Sequence, residues 1–298
     1  MVQILEIETE HVVSFKALIE VLKEMLTEVI FEFRKEAVKT TDENNNKKTK
    51  YEGGLRVLTV NATKTVLIYL KLDISEFSKF ECKQKLELGI NLRILHIILK
   101  SIEKGDTLCM RFDDTNKQVL SISAYNSEKD FVSNDKMKLM DLDNHKLNVP
   151  STLKYDINVT MSAKEFHKLC KEFGSLSEHI ELKCTSSTLN FKCKTDCVER
   201  DKTFVTTGNA DQKKSINISH VEKKQLLLQG VYELKDLTLF NKCSNLCGDV
   251  EIVMKNNHPL ILKYTIGTAG KVLLCISPIE LNTKLVTTDV DDCVVKYK

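Results

Sequence analysis

Long hydrophobic runs are missing from this chain. Nowhere do about 18 consecutive apolar residues occur, the least that a membrane-crossing helix needs. The opening Met1-Val2-Gln3-Ile4-Leu5-Glu6 also lacks the basic-then-apolar pattern of an export signal. These two absences lead to the expectation of an intracellular protein with no membrane partner. Proline is scarce, at 3 of 298 residues, so element ends must come from Gly, Asn and Asp. Catalytic signatures are lacking too. There is no phosphate-binding P-loop, nucleophile elbow, His-Glu-x-x-His run or glycine-rich dinucleotide fingerprint, and the 7 histidines are dispersed. Neither an enzyme nor a cofactor is expected.

An excess of one charge is equally absent. With 44 basic and 42 acidic side chains the net charge is +2, so any affinity for nucleic acid must come from where charges lie. The 10 cysteines are scattered through a long chain without an export signal, which favours reduced thiols. Cys193 with Cys197 and Cys243 with Cys247 have loose zinc spacing, yet one pair falls on a strand and polar loop and the other at a helix and its end. Nothing in the sequence brings the pairs together, so packed thiols are expected and no metal. The hydrophobic fraction of 42% and charged fraction of 29% are those of a globular protein, and 298 residues suffice for about two domains with their own cores.

What is present is alternation. Apolar and polar residues exchange over short runs, the period of half-buried strands, as in Val29 to Phe33, Leu55 to Leu58, Thr107 to Phe112, Tyr155 to Val159, Ile180 to Cys184, Val250 to Met254 and Leu260 to Tyr264. Four segments have helical spacing instead. His11 to Thr27 places Val12, Phe15, Leu18, Leu22 and Met25 on one face, and Asn91 to Glu103 turns Ile94, Leu95, Ile98, Leu99 and Ile102 inward. A third helix starts at Ser162, an N-cap with Glu165 three residues on, and buries Phe166, Leu169, Cys170 and Phe173. The fourth, Tyr232 to Leu246, buries Leu234, Leu237, Phe240 and Cys243. The order of strand, helix, strands, helix, strands recurs after about Pro150, without a residue-level repeat. Polar insertions at Thr40 to Gly54 and Asp196 to Lys214 read as exposed loops, and the tail from Glu280 has no obvious partner strand.

Each helix carries basic residues opposite its apolar face: Lys16 and Lys23; Arg93, His96 and Lys100; Lys164, Lys168 and Lys171; Lys235 and Lys242. Solvated helix faces often carry lysine, and Glu20, Glu103, Glu172 and Asp236 dilute the stripes. Should the stripes meet DNA, point charges on flexible stems suit phosphates and read no bases, giving sequence-independent, salt-sensitive attraction. Arg93 is the one arginine among them, and few arginines suit a protein that must not be pinned to a guanine edge.

Lys136-Met137-Lys138-Leu139-Met140-Asp141-Leu142-Asp143, followed by Leu147-Asn148-Val149-Pro150, resembles the interdomain connector of the proliferating cell nuclear antigen (PCNA) sliding-clamp family. Met161 to Phe166 with Leu169 to Glu172 is similar to that family's third helix. His258 to Tyr264 with Ile276 to Ile279 is similar to its last two strands, and Asn91-Leu92 with Ile98-Leu99-Lys100 to its second helix. The likeness runs from about residue 1 to 280, outside the insertions and tail.

The resemblance implies an α+β clamp fold. Two similar domains put antiparallel sheets outside and two helices each along a channel, assembled as a head-to-tail homotrimer around double-stranded DNA. The implied division is 1–137, a connector 138–156, 157–280 and a tail 281–298. It also implies a DNA polymerase processivity factor of the nucleus, or of a viral replication site, serving polymerase, clamp loader and replication and repair proteins. Such partners insert a peptide with a glutamine, an aliphatic residue and two aromatics. The matching positions here are Leu142, Leu147, Val149 and Pro150 of the connector with Pro259, Ser277 and Pro278, and Lys64 and Thr65 at the rim. Subunit edges are expected near Phe131 to Lys136 and Thr203 to Thr207. Asp135 stands where the family commonly has an aromatic residue, which favours the alternative of a non-ring interaction module or a subunit of a hetero-trimeric checkpoint clamp. Richness in Lys, Asn and Ile points to an AT-rich genome, that of a large DNA virus or a protist.

Overall fold

The alternating segments pair as antiparallel strands, and the computed structural model describes residues 3–41, 47–126, 131–143, 155–206, 216–220, 227–239, 247–266 and 270–279. In chain order the first elements are β1 (Gln3–Thr9), α1 (Val12–Met25), β2 (Glu28–Thr41), β3 (Lys47–Val60), β4 (Val66–Asp73), β5 (Lys79–Cys82), β6 (Leu86–Asn91), α2 (Leu92–Lys100), β7 (Thr107–Asp113), β8 (Val119–Asn126) and β9 (Phe131–Lys138). There follow β10 (Ile157–Ser162), α3 (Ala163–Gly174), β11 (His179–Cys184), β12 (Thr188–Lys194), β13 (Glu199–Val205), β14 (Ile216–His220), β15 (Leu228–Glu233), α4 (Leu234–Thr238), β16 (Asp249–Met254), β17 (Leu260–Ile266) and β18 (Gly270–Ile276). Contacts divide the chain into two units: Met1–Thr59, Tyr69–Asn144 and Ile266–Lys271; and Val60–Ile68, His145–Thr265 and Val272–Lys298. No helix among the described residues is long and apolar enough to cross a membrane.

In the first unit one sheet has the order β5-β1-β7-β8-β9. Ile7 stands opposite both Phe80 and Met110, and Met110 opposite Ile122, so the period of two collects these buried side chains on one face. The other face carries Glu6, Glu8, Lys79 and Arg111, joined in ion pairs. A second run of strands, β6-β2-β3, continues to β4. Helices α1 and α2 pack side by side, with Phe15, Leu18, Ile19 and Leu22 of α1 and Leu92, Leu95 and Leu99 of α2 buried. The second unit has one sheet of order β13-β12-β11-β15 and a run β14-β10-β16-β17. Helix α3 fits against both. Its Phe166 ring lies 6.4 Å from that of Phe191 on β12, and His167 Nε2 lies 3.3 Å from the Tyr264 hydroxyl on β17.

Several expectations are corrected. Much of the polar segment 40–54 is strand: Lys47 pairs with Thr41, Lys50 with Val38 and Gly53 with Lys35 in one long hairpin. Polarity hid it because a polar strand has no apolar alternation to show. Gly54 has φ 127°, and a Cβ there would come within 1.9 Å of the Leu72 carbonyl oxygen, so glycine allows a close backbone approach. Within 196–214, Glu199–Val205 is likewise a strand, paired residue by residue with β12. Residues 42–46, 207–215 and the tail from 280 lie outside the described residues.

Ile94 was expected inward but is 46% exposed. The buried stripe of α2 runs through Leu92, Leu95 and Leu99, and Ile94, two positions from Leu92, is rotated about 200° away from it. Ser162 precedes α3 as expected, but its side chain makes no capping hydrogen bond. Asn91 is the side chain that caps: its Oδ1 accepts from the N–H groups of Arg93 and Ile94, both at 3.1 Å. Tyr232 belongs to β15, and the fourth helix is described over Leu234–Thr238 only, leaving Phe240 and Cys243 outside.

Candidate nucleic-acid interface and partner site

On the first unit four of the expected basic residues come together where α1 and α2 lie side by side. Lys16 Nζ donates to the carbonyls of Lys100, at 2.9 Å, and Ile102, at 3.2 Å. It therefore satisfies carbonyls left open at the end of α2 and sets a cation at the negative end of that helix dipole. Lys23 Nζ lies 3.4 Å from His96 Nδ1. Burial, then the charge of Lys23, pushes the His96 pKa below its ordinary value, with Lys100 and Lys16 adding to the effect and Glu20 opposing it. His96 is thus a neutral imidazole at pH 7 and adds no charge to the stripe. Arg93 and Lys100 are exposed, and Ile97, 68% exposed, shares their face at helical spacing.

On the second unit Lys164, Lys168 and Lys171 all stand exposed on α3. Lys168 and Glu172 are an i, i+4 pair at 3.9 Å, and Glu172 also lies 3.8 Å from Lys202 of β13. These separations in open solvent leave the lysines available to phosphate. Lys235 of α4 is exposed and paired with Glu233 at 2.5 Å, whereas Lys242 lies outside the described residues.

The partner-site positions fall in two places. In the second unit the Ser277 N–H donates to the Thr65 carbonyl at 3.0 Å, which joins the rim residue to the segment after β18. Thr65 ends a tight turn organised by Asn61, whose Oδ1 accepts from the Thr65 N–H at 2.9 Å and the Val66 N–H at 3.0 Å. Within this turn the exposed Lys64 takes φ 59°. Pro278 is buried and Pro259 half-buried. In the first unit the connector begins by bonding to β6: the Met140 N–H donates to the Gly89 carbonyl at 2.9 Å, and Leu142 is half-buried there. Leu147, Val149 and Pro150 lie outside the described residues.

Two family models match successive parts of the chain: proliferating cell nuclear antigen, N-terminal domain, over residues 4–146, and proliferating cell nuclear antigen, C-terminal domain, over residues 149–279. The chain belongs to the proliferating cell nuclear antigen family. It is 27% identical over 267 residues to a probable DNA polymerase sliding clamp 1 of Paramecium bursaria Chlorella virus 1, covering 89% of this chain and 92% of that one. It is 29% identical over 245 residues to a probable DNA polymerase sliding clamp of Acanthamoeba polyphaga mimivirus, covering 81% of this chain but only 50% of that longer one. A proliferating cell nuclear antigen of the fungus Chaetomium thermophilum is 27% identical over 228 residues, 76% of this chain and 86% of that one. The α+β architecture of two sheet-rich halves with two helices each is that of this family.

Sequence reasoning missed one buried polar residue on α4. Asp236, taken as a solvent-facing acid that dilutes a basic stripe, is 3% exposed, and burial raises its pKa above the ordinary value. Only its place between the buried Leu234 and Leu237 hinted at burial. Of the cysteines with zinc spacing, Cys193 and Cys247 are buried, Cys197 is exposed and Cys243 lies outside the described residues. Among the described residues Glu6, Glu8 and Cys109 gather closely enough for a metal. However, Lys79 and Arg111 already bond Glu6, and burial raises the Cys109 thiol to about 11, far from the thiolate a soft metal takes.

Proposed function

We propose that the chain is one subunit of a homotrimeric ring that encircles double-stranded DNA and serves a DNA polymerase as its processivity factor, a binding protein and not an enzyme. The observation that carries this reading is that clamp-domain models cover both halves of the chain, 4–146 and 149–279, while each half sets basic residues on a pair of adjacent helices, exposed at Arg93 and Lys100 in the first and at Lys164, Lys168, Lys171 and Lys235 in the second. Residues 1–137 and 157–280 act as the two clamp domains, with 138–156 as connector and 281–298 as tail. DNA phosphates are met by Lys16, Lys23, Arg93, Lys100, Lys164, Lys168, Lys171, Lys235 and Lys242 through counterion release, and by His96 as an uncharged hydrogen-bond partner, without base reading.

Ring closure uses two strands that end their sheets. β9 pairs only with β8, and β13 only with β12, among the described residues. Each leaves a row of backbone groups open to another chain, and a head-to-tail ring satisfies both. Val132 on β9, 64% exposed, and Val205 on β13, 50% exposed, supply apolar contact there. Polymerase, clamp loader and repair proteins dock through a glutamine-aliphatic-diaromatic peptide received by Lys64, Thr65, Leu142, Leu147, Val149, Pro150, Pro259, Ser277 and Pro278. The place of action is the replication site, in a nucleus or a viral replication compartment.

The test is topological. Light scattering on the pure chain should give three subunits. Protein loaded on nicked circular DNA should then stay bound through a salt wash and be released when the circle is cut. Equal retention on circular and linear DNA would reject encirclement.

A further inference from the structure

Exposed hydrophobic side chains are ordinary when scattered singly, and informative when they share one face with charges. Ile97 of α2, at 68%, is the most exposed large hydrophobic side chain among the described residues, and Ile94, at 46%, lies one turn before it. At about 100° per residue, the outward face of α2 runs Lys100, Arg93, Ile97, Ile94 within an arc of about 120°. At about 1.5 Å of rise per residue, Ile97 stands about 6 Å along the axis from Arg93 and about 4.5 Å from Lys100. An apolar side chain thus sits between two exposed cations.

Packing within the chain does not account for it. Leu92, Leu95 and Leu99 already make the buried face of α2, so the fold gains little from isoleucine at 94 or 97. Helix α1 repeats the arrangement: Val13, 55% exposed, lies one turn before Lys16. Helix α3 gives the contrast. Its exposed residues are Lys164, Lys168, Lys171 and Gly174, with no large hydrophobic among them.

A ligand for the α2 face has to offer negative charge to Arg93 and Lys100, and uncharged C–H surface to the isoleucines beside them. The backbone of duplex DNA offers both, because a deoxyribose separates each phosphate from the next. A base edge is the poorer match, since apolar contact in the major groove favours the thymine methyl and would read sequence.

We propose that Ile97 and Ile94 pack on deoxyribose of the encircled duplex, so that the first unit holds DNA partly by apolar contact that salt does not screen, whereas α3 of the second unit holds it by charge. This rests on the reading of the chain as a ring around DNA.

The experiment titrates a short labelled duplex of mixed sequence with the full chain and its variants at several salt concentrations. Ring mass, thermal midpoint and binding of the glutamine-aliphatic-diaromatic peptide are followed in parallel. Serine is the replacement, because its helix propensity is close to that of isoleucine. Ile94→Ser with Ile97→Ser should weaken DNA binding about three- to tenfold, by the same factor at every salt concentration. The slope of log affinity against log salt should stay as it is. Arg93→Ser with Lys100→Ser should instead flatten that slope by about 1.8, for two lost phosphate contacts. Should the double isoleucine variant fold poorly, Ile97→Ser alone decides on the same criterion.

Unchanged DNA affinity in the isoleucine variant, or a loss that varies with salt, would overturn the inference; a flattened slope in the Arg93 and Lys100 variant would still leave the DNA-facing reading standing. A fall in ring mass would assign the face to a second copy of the chain, and lost peptide binding with DNA affinity intact would assign it to a protein partner. Either result would also overturn the inference. No binding of the duplex by the unaltered chain at low salt would reject the DNA reading itself.

Discussion

Gly89 and Met140 fix where the chain leaves its first unit. The Met140 N–H donates to the Gly89 carbonyl at 2.9 Å, and a Cβ on Gly89 would lie 2.1 Å from the Met140 carbonyl oxygen and 3.2 Å from Leu142 Cγ. Only a residue without a side chain lets the connector lie so close on β6. Gly89→Ala should therefore push residues 140–142 outward and destabilise the fold by about 1–3 kcal/mol, the cost of an overpacked site. Urea unfolding measures the loss of stability, and weaker binding in a peptide titration reads the displaced connector. Unchanged stability would show that the connector has room to move.

The lysines separate into two kinds. Lys16→Glu should lower stability by about 0.3–1 kcal/mol, because it removes the cation from the carbonyl end of α2, and should also weaken DNA retention. Replacing Lys164, Lys168 and Lys171 by Glu should weaken retention without moving the thermal midpoint. Each lost phosphate contact should flatten the plot of log affinity against log salt by about 0.9. A salt slope equal to that of the unaltered protein would remove α3 from the DNA-facing surface.

Acid sensitivity should centre on Glu6. The Lys79 hydrogen bond, working against burial and helped by Arg111 and Gln3, lowers its pKa from 4.5 to about 2. The folded value lies below the unfolded one, so this contribution is complete above pH 4.5 and is lost as pH falls from there toward 2. Glu6→Gln should be less stable at neutral pH, and its stability should fall less between pH 5 and pH 3 (about the window in which unfolded glutamate titrates). Parallel losses on acidification in both proteins would count against the assignment.

Ring closure through strand edges predicts that a charge at either exposed valine opens the ring. Val132→Asp or Val205→Asp should shift the mass from three subunits toward one with little change in secondary structure, since both side chains face solvent in the single chain. Light scattering reads the mass directly. A trimer unaffected by both substitutions would place the interface elsewhere.

Leu147 is the connector position proposed to anchor the partner. Leu147→Ala should weaken peptide binding by about 1–3 kcal/mol and leave ring mass intact. Equal affinity of both proteins for the peptide would strike it from the site.

Local patterns determined much of this protein from sequence alone. The alternation at Ile180 to Cys184 and Val250 to Met254 became strands, and the spacing of Phe166, Leu169, Cys170 and Phe173 became the buried face of α3. Strand and helix periods are local, and burying one face enforces them. The connector run at Lys136 to Asp143 likewise carried the family. Tertiary structure decided the rest, because partners distant in sequence have no periodic signature. The Lys47 to Gly54 strand is legible only once β2 lies beside it, and Lys16 gains its capping role only because α2 ends 84 residues later at Lys100. Asp236 looked like a surface charge until folding buried it between Leu234 and Leu237. Burial and hydrogen-bond partnership belong to the assembled chain, and they give these three polar segments their roles.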